Sequence, residues 1–251
     1  MDIFDRKGIK PMLLTEDHTP TDSSDYICEL KLDGIRCLTY LSNHTDLRNK
    51  RDIPLIAAFP ELSSIHTKAR GKCILDGELI IPSSDGSPDF ETMQACSMLT
   101  DPVRIRLASK INPAAFVAFD VLYRDGNELM HLPLMERKRL LSDVVSESSR
   151  LALSRMFDNS SALFELTVRQ GLEGIVQKRK NSLYHPGKAL IPAILQCSSS
   201  ILLTISALGE NSLVVERDAA KRAAVDLVGT SLRKCNTKSA VSSRTNCTKN
   251  Q

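Results

Sequence analysis

The sequence predicts an α+β protein in which antiparallel sheets are flanked by helices. Short runs rich in β-branched and aromatic residues, each closed by turn residues, recur over 26–32, 37–41, 73–81 and 115–123. Between and after them, apolar residues at helical intervals mark 60–69, 88–99, a segment from Pro133, and 160–170. With 251 residues, of which 42% are hydrophobic, the chain has enough material for one sizeable core and a small second unit.

Taken in order, the residues before Tyr26 are polar and interrupted by Pro11 and Pro20, which predicts an extended lead-in across the surface. From Tyr26 a period of two puts Cys28, Leu30 and Leu32 on a core face and Glu29, Lys31 and Asp33 on a cleft face. Gly34 permits a sharp turn ahead of Arg36. A second strand over 37–41 turns at Ser42-Asn43-His44 into a cationic stretch containing Arg48 and Arg51, which on charge alone reads as solvated hairpin surface.

Pro60 suits a first helical position, and Leu62, Ile65, His66 and Ala69 recur at helical spacing, so an amphipathic helix ended by Gly71 is expected. In the next strand Asp76 and Glu78 share a face, and a buried strand tolerates two carboxylates on one side only with cations or hydroxyl donors beside them. The helix over 88–99 carries Met93 and Met98 as core filler. The strand over 115–123 closes at Arg124-Asp125-Gly126. From Pro133, Leu134, Leu140, Leu141, Val144 and Val145 mark a helix whose exposed cationic face holds Arg137, Lys138 and Arg139. A further helix over 160–170 is capped by serine and stopped by Gly171.

Charge and cysteine content narrow the setting. A formal charge of +3 permits a polyanionic partner without demanding one. The seven cysteines are scattered, with no Cys-x-x-Cys pair, so neither a disulfide framework nor a zinc site is indicated. The first residues lack the apolar run of a signal peptide. The apolar residues over 189–208 are broken by Pro192, Gln196 and Ser198-Ser199-Ser200, so no membrane span is expected. A soluble, cytoplasmic monomer is the expectation.

Lys31-Leu32-Asp33-Gly34 resembles the Lys-x-Asp-Gly motif of the ATP-dependent DNA ligases and related covalent nucleotidyltransferases. Taken alone, the tetrapeptide also fits a surface strand ending in a turn. Further stretches follow in the family's order. The segment around Arg48 resembles the second motif, Asp76-Gly77-Glu78 the third, and Phe119-Asp120-Val121-Leu122 the Phe-Asp-x-Leu motif. Glu173-Gly174-Ile175-Val176-Gln177-Lys178 and Ser182-Leu183-Tyr184-His185-Pro186-Gly187-Lys188 resemble the ligase sequence Glu-Gly-Ile-Val-x-Lys and its Ser-x-Tyr-x-Pro-Gly-Lys continuation.

The resemblance covers about residues 10–188 and implies a nucleotidyltransferase (ATP-grasp-like) domain over 1–190. An irregular region over 191–232, without a recognisable oligonucleotide-binding barrel, and a disordered basic tail over 233–251 would follow. The family continues with a Trp and two alternating lysines, whereas this chain contains no Trp. Such an abrupt loss is what a reading-frame change would produce. Resequencing refutes that idea if the frame is continuous and a homologous protein carries the same C-terminus.

The resemblance also implies roles. Lys31 would attack the α-phosphate of ATP to give a lysyl-adenylate, AMP would pass to a DNA 5′-phosphate, and the 3′-hydroxyl would displace it. A free lysine is mostly protonated at neutral pH, so nearby cations or desolvation must lower its pKa first. Arg36 and Lys178 would supply that charge, Lys178 also meeting the phosphates, and both are expected to be catalytic. Phe119 and Glu29 would hold the adenine, Asp33 would contact the nucleotide and Arg48 the nucleotide or the nick, and Glu78 and Glu173 would hold Mg²⁺, with Asp76 supporting. Phe119 reads equally well as an ordinary core residue. The implied partners are ATP and nicked double-stranded DNA. An RNA ligase or capping-type nucleotidyltransferase, and a catalytically silent nucleotide- or nucleic-acid-binding module, are the alternatives.

Overall fold

A computed structural model describes residues 2–17, 19–84 and 86–196, with the backbone alone described over 189–196. The expected basic tail, and all of the irregular region and apolar stretch beyond 196, lie outside the described residues.

The lead-in is more than a surface crossing. Asp2 accepts the Phe4 N–H and caps α1 (Ile3–Arg6), which buries Ile3 and Phe4, and β1 (Leu13–Glu16) follows. Next come β2 (Tyr26–Leu30), β3 (Ile35–Leu41) and β4 (Thr45–Asn49). Where an amphipathic helix was expected, two 3₁₀ turns stand at Pro60–Leu62 and Ile65–Lys68. Leu62 and Ile65, three residues apart, both reach the core, a spacing that a threefold helix eclipses. β5 (Cys73–Ile80) and α2 (Phe90–Ser97) match their sequence signals, but Met98 lies just past the helix and is 75% exposed, so only Met93 fills the core.

The periodicity did not announce α3 (Pro102–Ile111), because it buries no residue fully and meets the core only through Ala108. Pro102 at its first position and the Asp101 side chain on the Arg104 N–H explain where it starts. β6 (Ala115–Arg124), β7 (Asn127–Glu128), α4 (Leu134–Val144) and β8 (Leu151–Leu153) complete the middle of the chain. In α4 the expected exposed cationic face is only partly there. Arg139 is exposed, but Arg137 and Lys138 are 2% and 4% exposed and lie among Leu134, Leu141 and Val144. α5 (Ser160–Gln170) is capped by Asn159, one residue ahead of the expected serine, and stops at Gly171. β9 (Gly174–Arg179) and β10 (Ala189–Gln196) follow, the last strand running past the expected boundary at 190.

The strands form two sheets. One has the order β1-β10-β9-β2, with β1 and β10 parallel and the rest antiparallel. The other has the order β4-β3-β5-β6-β7, antiparallel throughout, with β8 added parallel to β6. This larger sheet is covered on both faces. Cys37, Leu41, Leu75 and Leu79 pack with the 3₁₀ turns, α2 and α4, while Leu38, Tyr40 and Ile74 pack with Ile3, Phe4 and Tyr184 on the other side. Among the described residues, no helix is long and apolar enough to cross a membrane.

Candidate active site

A cleft of about 500 Å³ opens between the two sheets. Lys31, Asp33, Glu78, Phe119, Glu173 and Lys178 all line it, as do Glu29 and Arg36. Register explains how distant residues meet there. β2 and β9 are antiparallel with Leu30 opposite Ile175, and the ladder continues one step further through the Lys31 N–H to the Gly174 carbonyl at 2.9 Å. Glu173 comes one position before Gly174, off the regular register, and its side chain forms an ion pair with that of Lys31. Strict alternation would send Glu173 and Lys178 to opposite faces. Gly174, at φ 141°, breaks the alternation ahead of β9, so both point into the cleft.

Diagonal pairing across regular ladders builds the rest. Lys178 stands opposite Ile27 and diagonal to Glu29, and it pairs with that carboxylate. Glu29 is buried, and its second oxygen takes Lys138 from α4. Burial acts to raise the Glu29 pKa, yet Lys138 and then Lys178 hold it below the ordinary carboxylate value. Burial pushes the Lys138 amine down, with Glu29 opposing.

Arg36, opposite Glu78 on β5, reaches diagonally to Asp76 and donates two bonds of 2.8 Å. Tyr184 donates its hydroxyl to the same carboxylate at 2.6 Å and accepts the Met12 N–H at 2.9 Å. Asp76 also stands directly opposite Asp120 on β6. Two like charges facing across a ladder are tolerable only if each is neutralised. Arg36 does this for Asp76, and Arg137 for Asp120, at 2.8 and 3.0 Å.

Two cations approach the Phe119 ring, the Arg36 guanidinium at 4.7 Å and the Lys178 amine at 4.5 Å from its centroid. Burial pushes the Lys31 amine below the ordinary lysine value, against the pull of Glu78 and Asp33. Burial also pushes the Glu78 carboxyl up to about 8, with Arg36 opposing and Asp76 reinforcing. Gly34 is demanded by a close approach: a Cβ there would lie 2.3 Å from the Leu79 carbonyl oxygen.

One expected contact is elsewhere. Arg48 lies on β4 outside the cleft lining, held by Asp46 at 2.9 Å and Asp52 at 3.3 Å. Those two carboxylates satisfy its guanidinium, so nothing directs it into the cleft. Lys50, just beyond the strand, lines the cleft instead. Sequence reasoning also missed Lys138 and the Asp120–Arg137 pair. A signal was present, since Leu134, Arg137, Lys138 and Leu141 share one helical face.

Glu78 and Glu173 fit a divalent cation. The Glu173 Oε2 atom is buried and makes no hydrogen bond, and burial leaves the Glu78 charge poorly compensated. Among the described residues, no three His, Cys, Asp or Glu side chains cluster as a closed metal site. One or two carboxylates completed by substrate phosphates is the arrangement Mg²⁺ favours.

Comparison with known proteins agrees with this geometry. A family profile described as the ATP dependent DNA ligase domain matches residues 11–191. The SPbeta prophage-derived DNA ligase-like protein LigB of Bacillus subtilis is 32% identical over 182 residues, covering 72% of this chain and 64% of that protein. The bifunctional non-homologous end joining protein LigD of the same organism is 27% identical over 183 residues, covering 65% of this chain and 30% of its own length. Among solved structures, mycobacterial DNA ligase D complexed with ATP and MES superposes with a TM-score of 0.64 at 25% identity, covering 78% of this chain and 62% of that chain. This chain thus spans less than two thirds of each of these relatives. The profile match extends over nearly all of the described fold, including Lys31, Glu78, Phe119, Glu173 and Lys178, which converge on the cleft; the chain belongs to the ATP-dependent DNA ligase family.

Proposed function

We propose that this chain is the nucleotidyltransferase part of an ATP-dependent DNA ligase, taking ATP and nicked double-stranded DNA as substrates. One observation carries the reading: the Lys31 amine shares a single cleft with Glu78, Glu173 and the cations Arg36, Lys50 and Lys178. A neighbouring fold, mycobacterial DNA ligase D, is described in complex with ATP.

In this reading the Lys31 nitrogen forms a bond to the α-phosphorus, the bond to the bridging oxygen breaks, and pyrophosphate leaves with the electron pair. The amine sheds a proton to do so, and Glu173, in contact with it, is the nearest acceptor. Arg36 and Lys178 stabilise charge developing on the phosphate oxygens. Phe119 offers an aromatic face to the base, with Glu29 at the adenine edge and Asp33 at the cleft wall. Glu78 and Glu173 would hold Mg²⁺, which when bound supplies charge neutralisation of the phosphates.

Mass spectrometry after incubation with ATP and Mg²⁺ tests the reading. An AMP adduct on Lys31, absent from Lys31→Ala, is the expected result. Noncovalent ATP binding with no adduct would instead make the chain a silent binding module. Labelled ATP against GTP, and nicked DNA against nicked RNA, separate it from RNA ligases and capping-type enzymes.

A further inference from the structure

Glu29 has more positive charge than one carboxylate requires. Its two oxygens face two lysines, Lys138 from α4 and Lys178 from β9. The lysines are not equivalent: Lys178 lines the cleft and sits over Phe119, whereas Lys138 does not line the cleft and is as buried as the carboxylate it holds. Lys178 is therefore the cation a nucleotide phosphate can reach, and Lys138 is the one it cannot.

We propose that Lys138 is a positioning residue, the permanent counter-cation of Glu29, which lets Lys178 leave that carboxylate for a nucleotide phosphate without stranding a buried negative charge. The inference rests on the nucleotide reading of the cleft and adds to it. With Lys138 in place, Glu29 stays ionised whether or not Lys178 has moved. Without Lys138, the departure of Lys178 leaves the carboxylate buried and alone, and a buried lone carboxylate takes up a proton. The other charges near this group are Asp120 beside Lys138 and Arg137, which neutralises Asp120, so no third cation stands in.

Calorimetric titration with α,β-methylene-ATP and Mg²⁺, in buffers of different ionisation enthalpy, counts the protons taken up on binding while the methylene bridge blocks transfer to Lys31. The wild-type count sets the baseline, since any proton that Glu78 gives up to Mg²⁺ or that Lys31 takes up is common to every variant. Lys138→Met is expected to take up about one proton more than the wild type, so that its affinity relative to wild type falls about tenfold for each unit that pH rises. Lys138→Arg is expected to behave as wild type, which a purely volumetric role for Lys138 would not produce. Equal proton counts for the wild type and a folded Lys138→Met that binds overturn the inference. Failure of the wild type to bind the nucleotide at all overturns the underlying reading instead.

If Lys138→Met does not fold, Lys178→Met supplies the second arm. Glu29 then keeps Lys138 alone, and the thermal midpoint of Lys178→Met should run parallel to that of wild type between about pH 6 and 9. An extra rise towards lower pH would mean that Glu29 protonates once Lys178 is gone, and would likewise overturn the proposal.

Discussion

The Asp120–Arg137 pair is the most exacting test of how the floor of the cleft is built. Both side chains are buried, and Arg137 also donates to the Leu132 and Ser182 carbonyls, the latter at 3.1 Å, so one guanidinium ties α4 to β6 and to the loop after β9. Asp120→Asn keeps the shape but leaves the arginine without its counter-charge, and breaking a buried pair from one side costs about 3–5 kcal/mol. A domain of this size loses about 2–4 °C per kcal/mol, so the midpoint should fall by about 10 °C. Replacing both partners, Asp120→Leu with Arg137→Met, removes the stranded charge and leaves the Leu132 and Ser182 carbonyls short of a donor and the Val121 N–H short of an acceptor, at about 1 kcal/mol each. The double variant should thus be more stable than the single one. Urea titration with a constant slope measures both. A single-variant loss below about 1 kcal/mol, or a double variant less stable than Asp120→Asn, would refute the reasoning.

Other expectations follow from the same geometry. The Glu78 carboxyl is raised to about 8, so between its unfolded value and that pH the folded state binds the extra proton and stability falls as pH rises. Glu78→Gln should flatten that slope and gain about 1–2 kcal/mol at pH 8, as thermal melts across pH would read. Gly34→Ala pushes a methyl group into the Leu79 carbonyl and should cost about 2 kcal/mol or more, seen as a lowered midpoint in urea. Arg48→Ala touches nothing in the cleft, so adduct formation on Lys31 should stay within about twofold of wild type by mass spectrometry. A larger loss would place Arg48 in the nucleotide site after all.

Much of the site was legible because its chemistry sits in short local motifs. Lys31, Glu78, Phe119, Glu173 and Lys178 each belong to a stretch readable from a few neighbours, and all line one cleft. Arg48 could not be placed from its motif, which fixes residue type while Asp46 and Asp52 set its direction, away from the cleft. The segment at 60–69 misled because threefold and 3.6-fold spacing are nearly indistinguishable over so few residues.

The sequence by itself determined the strands β2, β3, β5 and β6, the class of fold and the lysine proposed as the nucleophile, because alternation, turn residues and motif order are properties of neighbouring positions. Which charges stand next to one another was decided only in three dimensions. Asp76 faces Asp120 across a ladder, and Glu29 meets Lys138 from a helix more than one hundred residues away, separated by 109 positions. Burial is what converts such neighbours into strong partners. A charge run that would be solvated on an isolated helix becomes, once α4 packs against β6, the counter-charge of the cleft floor.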